Sequence, residues 1–395
     1  MPEEDKENDI LSFAKQKLLN GKEFLEDADS LGSLACLATR FGLEFNEDED
    51  SRDICYKQVE RHMRICLATT TGFKKLITCS ASEPLLAEAA FQLMSDSSSS
   101  PVKHLANHVN LHCVDRGRRG ELVAALIVMQ ARDASLPRNV PPRRWVSVTQ
   151  FMEALLPSQV SEVLLRSLPT RWCKGQAFTF SQTFDNCCLW FNHIIKVEDS
   201  NVIRPEFLWK YVTRGAMVVC KDNQEAVDII VPVVFPNGNL SRHNVTAIMI
   251  QVKNRTDYGL NVTNKLFDAM DPCRLGLLSD NPRPIIRMVF ALASPEAGVR
   301  FLSRRSCEPH HPDGFTSFDI WCAGLSTETF RQVGDDLDSY QKLLDRSQRS
   351  HDAFNVSESL NPLSEKTKNA VGRTRRSMAP LVKSFGHDEI HYSPK

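Results

Sequence analysis

An aspartate, a glutamine and a lysine stand at spacings that one β-hairpin would bring together. Asp228 lies near the start of the β-branched run AVDIIVPVVF (226–235), and Gln251 and Lys253 close the run VTAIMIQVK (245–253). Between the runs, Pro236-Asn237-Gly238-Asn239 is a turn signal. Folding about residue 240 sets Asp228 against the Gln251–Lys253 segment, with opposed Cβ atoms ~5 Å apart. Gln251 and Lys253 are two residues apart and share one face of their strand. An acid, an amide and an ammonium therefore meet among apolar neighbours. An unpaired charge in such a place is costly, so hydrogen-bonding partners or a metal ion must accompany it.

The elements that must position this group alternate between helix and strand. Helical spacing of apolar residues predicts helices over 10–24, 52–69 and 82–94, the last opened by Ser82 as an N-cap. The apolar run ELVAALIVMQA (121–131) predicts a buried helix opened by Glu121, and two more helices follow over 148–156 and 159–167. Residues 171–215 are mixed. Strands are expected over 216–220, 226–235, 245–252, 284–291 and 317–322, then an amphipathic closing helix over 327–349. The chain thus reads as mixed α/β. Residues 1–115 form a helical region, 116–350 an α/β core with a helical insertion over about 134–212, and 351–395 a polar, disordered, basic tail.

The pattern of a helix with an acid, a strand with Asp and a neighbouring strand ending in (E/Q)xK resembles the PD-(D/E)xK nuclease superfamily. The likeness is to its Mrr-type variants, in which Gln replaces the last acid. Here Glu121, Asp228 and Gln251-Val252-Lys253 carry the resemblance. It implies a restriction-endonuclease-like mixed central sheet flanked by helices. It also implies Mg²⁺ or Mn²⁺ held by Glu121, Asp228 and the Gln251 oxygen, with Lys253 orienting the attacking water and DNA as substrate. Hard oxygen ligands suit Mg²⁺. Two departures stand out. Val227 occupies the position of the family's Pro, and Gln251 lowers the ligand charge by one, so the resemblance also allows an inactive nucleic-acid or protein binding module. The segments RGELVAAL (119–126), AVDIIVPV (226–233), AIMIQVKN (247–254) and FTSFDIWCAGLS (315–326) further resemble an uncharacterised fungal protein family.

Bulk composition bounds the reading. The chain has 395 residues, 42% of them apolar, and a net charge of −1, so attraction of nucleic acid has to be local. No run of eighteen apolar residues and no signal-peptide layout occurs, so an intracellular protein, nuclear or cytoplasmic and without a membrane partner, is expected. Its 12 cysteines include no CxxC pair and read as buried hydrophobes. No GxxxxGK[ST] or G-x-S-x-G motif occurs. His104, His108 and His112 recur every fourth residue, with Cys113 beside them, and read as one face of a surface helix. Over two turns they span ~12 Å, too far for one metal ion. Cys307, His310, His311 and Asp313 read as a polar loop. Arg116, Arg118, Arg119 and Lys174 could add positive charge near Glu121, and the tail offers Lys366, Lys368, Arg373, Arg375, Arg376 and Lys383.

Overall fold

Apolar residues at helical spacing make the first element, α1 (Glu3–Leu18), and bury Leu11, Ala14 and Leu18 along one stripe. The helix stops where Asn20 (φ 52°) and Gly21 (φ 86°) turn left-handed and the Gly21 N–H closes on the Gln16 carbonyl at 2.7 Å. The coordinates are a computed structural model describing residues 3–25, 30–43, 49–69, 76–96, 100–108, 116–136, 145–172, 176–221, 224–236, 240–277, 283–302, 305–306 and 314–352. His112, Cys113, Lys174, the turn residues Asn237–Asn239, the Cys307–Asp313 cluster and the basic tail from 353 onward lie outside the described residues. So do the side chains of His108, Arg116 and Arg118.

Helix α2 (Ser30–Phe41) is buried along most of its length. The helix expected over 52–69 is corrected. It ends as α3 (Glu49–Arg61), Met63 takes φ 60°, and Ile65–Thr69 becomes strand β1, paired antiparallel with β2 (Leu76–Cys79). Helical periodicity ran through this segment, but a side chain at positive φ does not continue a helix. Helix α4 (Pro84–Asp96) begins after Ser82, so Ser82 is not its N-cap; Glu83 Oε1 instead accepts from the Leu85 N–H at 3.3 Å. Helix α5 (Pro101–His108) buries Val102 and Leu105, and its His104 bonds Ser33 at 3.0 Å instead of lining a free surface.

The long apolar helix is α6 (Arg116–Ala134), with Val123 to Met129 buried without a break. Arg40 of α2 grips Asp133 near its end, Nη1 and Nη2 each 2.9 Å from a carboxylate oxygen, and its Nε reaches the Asn192 carbonyl at 3.4 Å. There follow β3 (Val146–Ser147), α7 (Val148–Leu155), α8 (Ser158–Arg166), β4 (Arg171–Trp172), α9 (Phe180–Thr183), β5 (Cys188–Leu189) and β6 (His193–Lys196). The insertion expected to be helical therefore also adds strands to the sheet. Next come α10 (Pro205–Thr213), β7 (Ala216–Val219), β8 (Ile229–Val234), β9 (Val245–Lys253), α11 (Asn264–Ala269) and β10 (Ile285–Ala291). Last are β11 (Gly298–Phe301), β12 (Arg305–Ser306), β13 (Ser317–Ala323) and α12 (Leu337–Asp352). A 3₁₀ segment over Arg331–Asp336 replaces the first turns of the expected closing helix.

The fold is mixed α/β. Among the described residues the main sheet runs β12-β4-β13-β10-β9-β8-β5-β3, with β7 also on β8, β6 beyond β7, and β11 on β13. Strands β9, β10 and β13 are parallel neighbours and buried on both faces, which explains their mostly apolar sequences, without an alternation of apolar and polar residues. One face packs on α6 and α7 through Ile248, Ile250, Met288 and Ile320; the other packs on α10 and α11 through Ala247, Met249, Val289 and Trp321. Residues 1–346 form one compact unit. No described helix is long and apolar enough to cross a membrane.

One charge pair is sealed inside this sheet. Arg287 and Asp319 oppose each other across β10 and β13. The guanidinium meets both carboxylate oxygens (Nε 2.7 Å, Nη2 2.5 Å), the Phe267 and Met270 carbonyls that end α11 (2.6 and 3.3 Å), and the Ser317 hydroxyl (3.2 Å).

Candidate active site

Strands β8 and β9 pair antiparallel about the expected turn, from Val234↔Val245 to Ile229↔Ile250. Asp228 sits one residue before β8 instead of inside a strand, because Ala226 takes φ 72° and the regular ladder starts only at Ile229. Its backbone nevertheless continues the sheet. Its N–H donates to the Ile250 carbonyl at 2.9 Å, and its own carbonyl accepts from the Cys220 N–H at 2.8 Å. Its carboxylate Oδ2 accepts from the Val252 N–H at 2.6 Å. Gln251 is thereby flanked by two residues that hold Asp228.

Burial pushes the Asp228 carboxyl above its ordinary range, while the Val252 N–H and the Lys253 charge pull it back. Lys253, half-buried at the end of β9, is thus within electrostatic reach of Asp228. Gln251 shares its strand face with Met249 and is 6% exposed. Its Oε1 accepts no hydrogen bond among the described residues. A buried amide oxygen left unpaired costs about 1–3 kcal/mol.

Glu121 arrives from another layer. Its neighbour Gly120 lies against the end of β9, where a Cβ would stand 3.1 Å from Asn254 Cβ and 3.3 Å from Val252 Cγ1. This close approach brings the start of α6 to the strand end. Two of the four residues, Asp228 and Glu121, are linked by a fifth that sequence reasoning missed, Cys220 just after β7. Burial, then the charges of Asp228 and Glu121, raise its thiol well above the ordinary range. Both carboxylates therefore bear on one buried sulfur. No spacing in the chain marks Cys220, which reads as one buried cysteine among several.

Gly120 makes the approach of Glu121 possible. Gly120→Val should force α6 away from β9 and cost about 1–3 kcal/mol by overpacking, read as a lower denaturant midpoint with an unchanged slope.

Among the described residues, no group of three or more His, Cys, Asp or Glu side chains could hold a metal ion. Glu121 and Asp228 are two such residues near the β9 end; Gln251 shares the face of Met249, the face turned away from α6, so the strand does not aim its amide at the helix that carries Glu121. The described cysteines are free thiols. No curated protein and no solved structure matches the chain. Residues 22–270 match the model of a domain of unknown function, a span that takes in Glu121, Asp228, Gln251 and Lys253 and more than half of the chain. On that match the chain belongs to the DUF8736 family.

Proposed function

We propose that the end of β9 is the active site of a metal-dependent nuclease acting on phosphodiester bonds of DNA. The observation that carries this reading is Gln251 Oε1, a buried acceptor without a partner among the described residues, one residue before the Val252 N–H that holds the Asp228 carboxylate. A hard cation would satisfy that oxygen, and the donor set of two carboxylates and an amide fits Mg²⁺ or Mn²⁺. A bound cation of this kind supplies Lewis acidity toward a phosphate oxygen and lowers the pKa of water. Asp228 is fixed for ligation because the Val252 N–H holds Oδ2 and so sets the carboxylate plane. Lys253 orients the attacking water and balances charge on the phosphate. Glu121 adds the second carboxylate from α6. A restriction-endonuclease-like arrangement is the fold reading that goes with this site: the antiparallel β8–β9 pair, α11, and the parallel strand β10.

The test uses the purified chain with supercoiled plasmid and Mg²⁺ or Mn²⁺, beside Asp228→Ala and Lys253→Ala. Nicking by the native chain and a loss of about 100-fold or more in each variant are expected, the range for positioned proton-transfer groups. Equal cleavage by all three removes the site assignment. A second readout needs no turnover. Mn²⁺ should raise the melting temperature of the native chain but not of Asp228→Asn, and the rise should grow with pH, because the ligating carboxyl has to lose its proton.

The neutral Gln251 also favours a second reading, a site that binds DNA or a protein without cutting. That reading predicts DNA retention unchanged by EDTA and no metal-dependent shift in melting.

A further inference from the structure

Two strands away from β8, across β7, a different set of side chains meets where α4 begins. Ser82 Oγ lies 2.9 Å from His193 Nε2, and His193 Nδ1 lies 2.9 Å from Asn192 Oδ1. Asn192 gives its amide hydrogens to the Pro84 carbonyl at 2.9 Å and to Glu88 Oε2 at 3.3 Å. A carbonyl only accepts, so the Asn192 nitrogen faces it and the amide oxygen faces the imidazole. The hydrogen of His193 is then on Nδ1, and the lone pair of Nε2 points at the serine hydroxyl. From these contacts we infer that Ser82 is a nucleophile, with His193 as its general base and Asn192 orienting the imidazole, in a centre that accepts acyl groups from esters.

The geometry supports this. A nucleophile within ~2.6–3.2 Å of its base, with the base oriented by a third group, is the arrangement that activates a hydroxyl. Arg214 donates from Nε to Ser82 Oγ at 3.2 Å and from Nη2 to the Ser82 carbonyl at 2.9 Å. That guanidinium fixes the serine and favours negative charge on its oxygen. The 13-residue helix α4 starts two residues later, so its positive end also faces the serine. His193 and Asn192 are each 1% exposed, whereas Ser82 is half-buried and reachable. Burial, then the charges of Arg214 and Arg40, lower the imidazole pKa to about 4, which leaves it unprotonated at neutral pH and makes it a weak base that holds the abstracted proton only briefly. No G-x-S-x-G signal accompanies Ser82, and 111 residues separate it from His193.

The reaction balances with water as co-reactant. Ser82 Oγ bonds the ester carbonyl carbon while its proton moves to His193 Nε2. The carbon–oxygen bond to the alcohol breaks, and the alcohol leaves with that proton. Water then attacks the acyl-serine, gives a proton to Nε2, and the acid departs as Oγ is reprotonated.

A fluorophosphonate provides the test, because it traps such a serine as an Oγ–phosphorus bond with loss of fluoride. The folded full chain is treated at neutral pH, digested and mapped by mass spectrometry. One adduct at Ser82 is expected, absent in Ser82→Ala and absent when the native chain is first unfolded in urea. His193→Gln should slow labelling by about 100-fold. A folded native chain that carries no adduct at Ser82, or labels no faster there than in urea, overturns the proposal whatever the variants do. A purely structural role for the network predicts that outcome. Turnover of p-nitrophenyl acetate, lost in Ser82→Ala but kept in Asp228→Ala, separates this centre from the nuclease site.

Discussion

Arg287→Ala should destabilise the chain by about 3–5 kcal/mol, the largest effect expected of any single substitution considered. The loss comes less from the attraction removed than from what remains. Arg287 is the buried guanidinium that meets both oxygens of Asp319, and Asp319 is 3% exposed. Truncation leaves its carboxylate in an apolar interior, and the Phe267 and Met270 carbonyls at the end of α11 lose their donor as well. Chemical denaturation of the variant measures the loss. The double variant Arg287→Met, Asp319→Leu should recover the part due to the stranded carboxylate, because an apolar pair of similar volume carries no charge to desolvate, while the two carbonyls still lack their donor. A single variant losing under about 1 kcal/mol would show that the pair is hydrated in solution.

Acid should weaken the fold through His193. Its imidazole is lowered from 6.5 to about 4 by burial first, then by the charges of Arg214 and Arg40. Glu88, hydrogen-bonded to Asn192, is the acid on this network, and the Gly215 carbonyl pulls the other way. A folded-state pKa below the unfolded one means that the unfolded chain binds the proton more readily. The stabilising contribution is therefore complete above pH 6.5 and is lost as pH falls toward 4, to a total of about 3 kcal/mol. Melting temperature followed from pH 7 to pH 4 should fall more steeply for the native chain than for His193→Gln. Parallel curves would show that the imidazole is already open to water.

The parts legible in the sequence were those that local pairing determines. Asp228, Gln251 and Lys253 lie at one end of the antiparallel pair formed by β8 and β9, which follow each other in the chain, so a count of residues and a period of two were enough to bring them to one end of the sheet. The approach of Glu121 was not encoded in any spacing. It depends on Gly120 lacking a side chain against Val252 and Asn254, a contact between layers. The 65–69 strand was hidden because a periodic apolar pattern continues through it, and only the left-handed Met63 ends the helix. Ser82 was read as a helix cap because serine is common there; its hydroxyl is committed to a histidine far along the chain, a distance over which no pattern operates.

Arg40 ties its own helix to two distant stretches of chain with one side chain, through the carboxylate of Asp133 and the backbone of Asn192. The first hundred residues are therefore not a detachable module. A gene fusion or recombination event that replaced them would leave Asp133 with its neighbour Arg132 alone and would loosen the entry into β6, so these helices and the sheet should be inherited together.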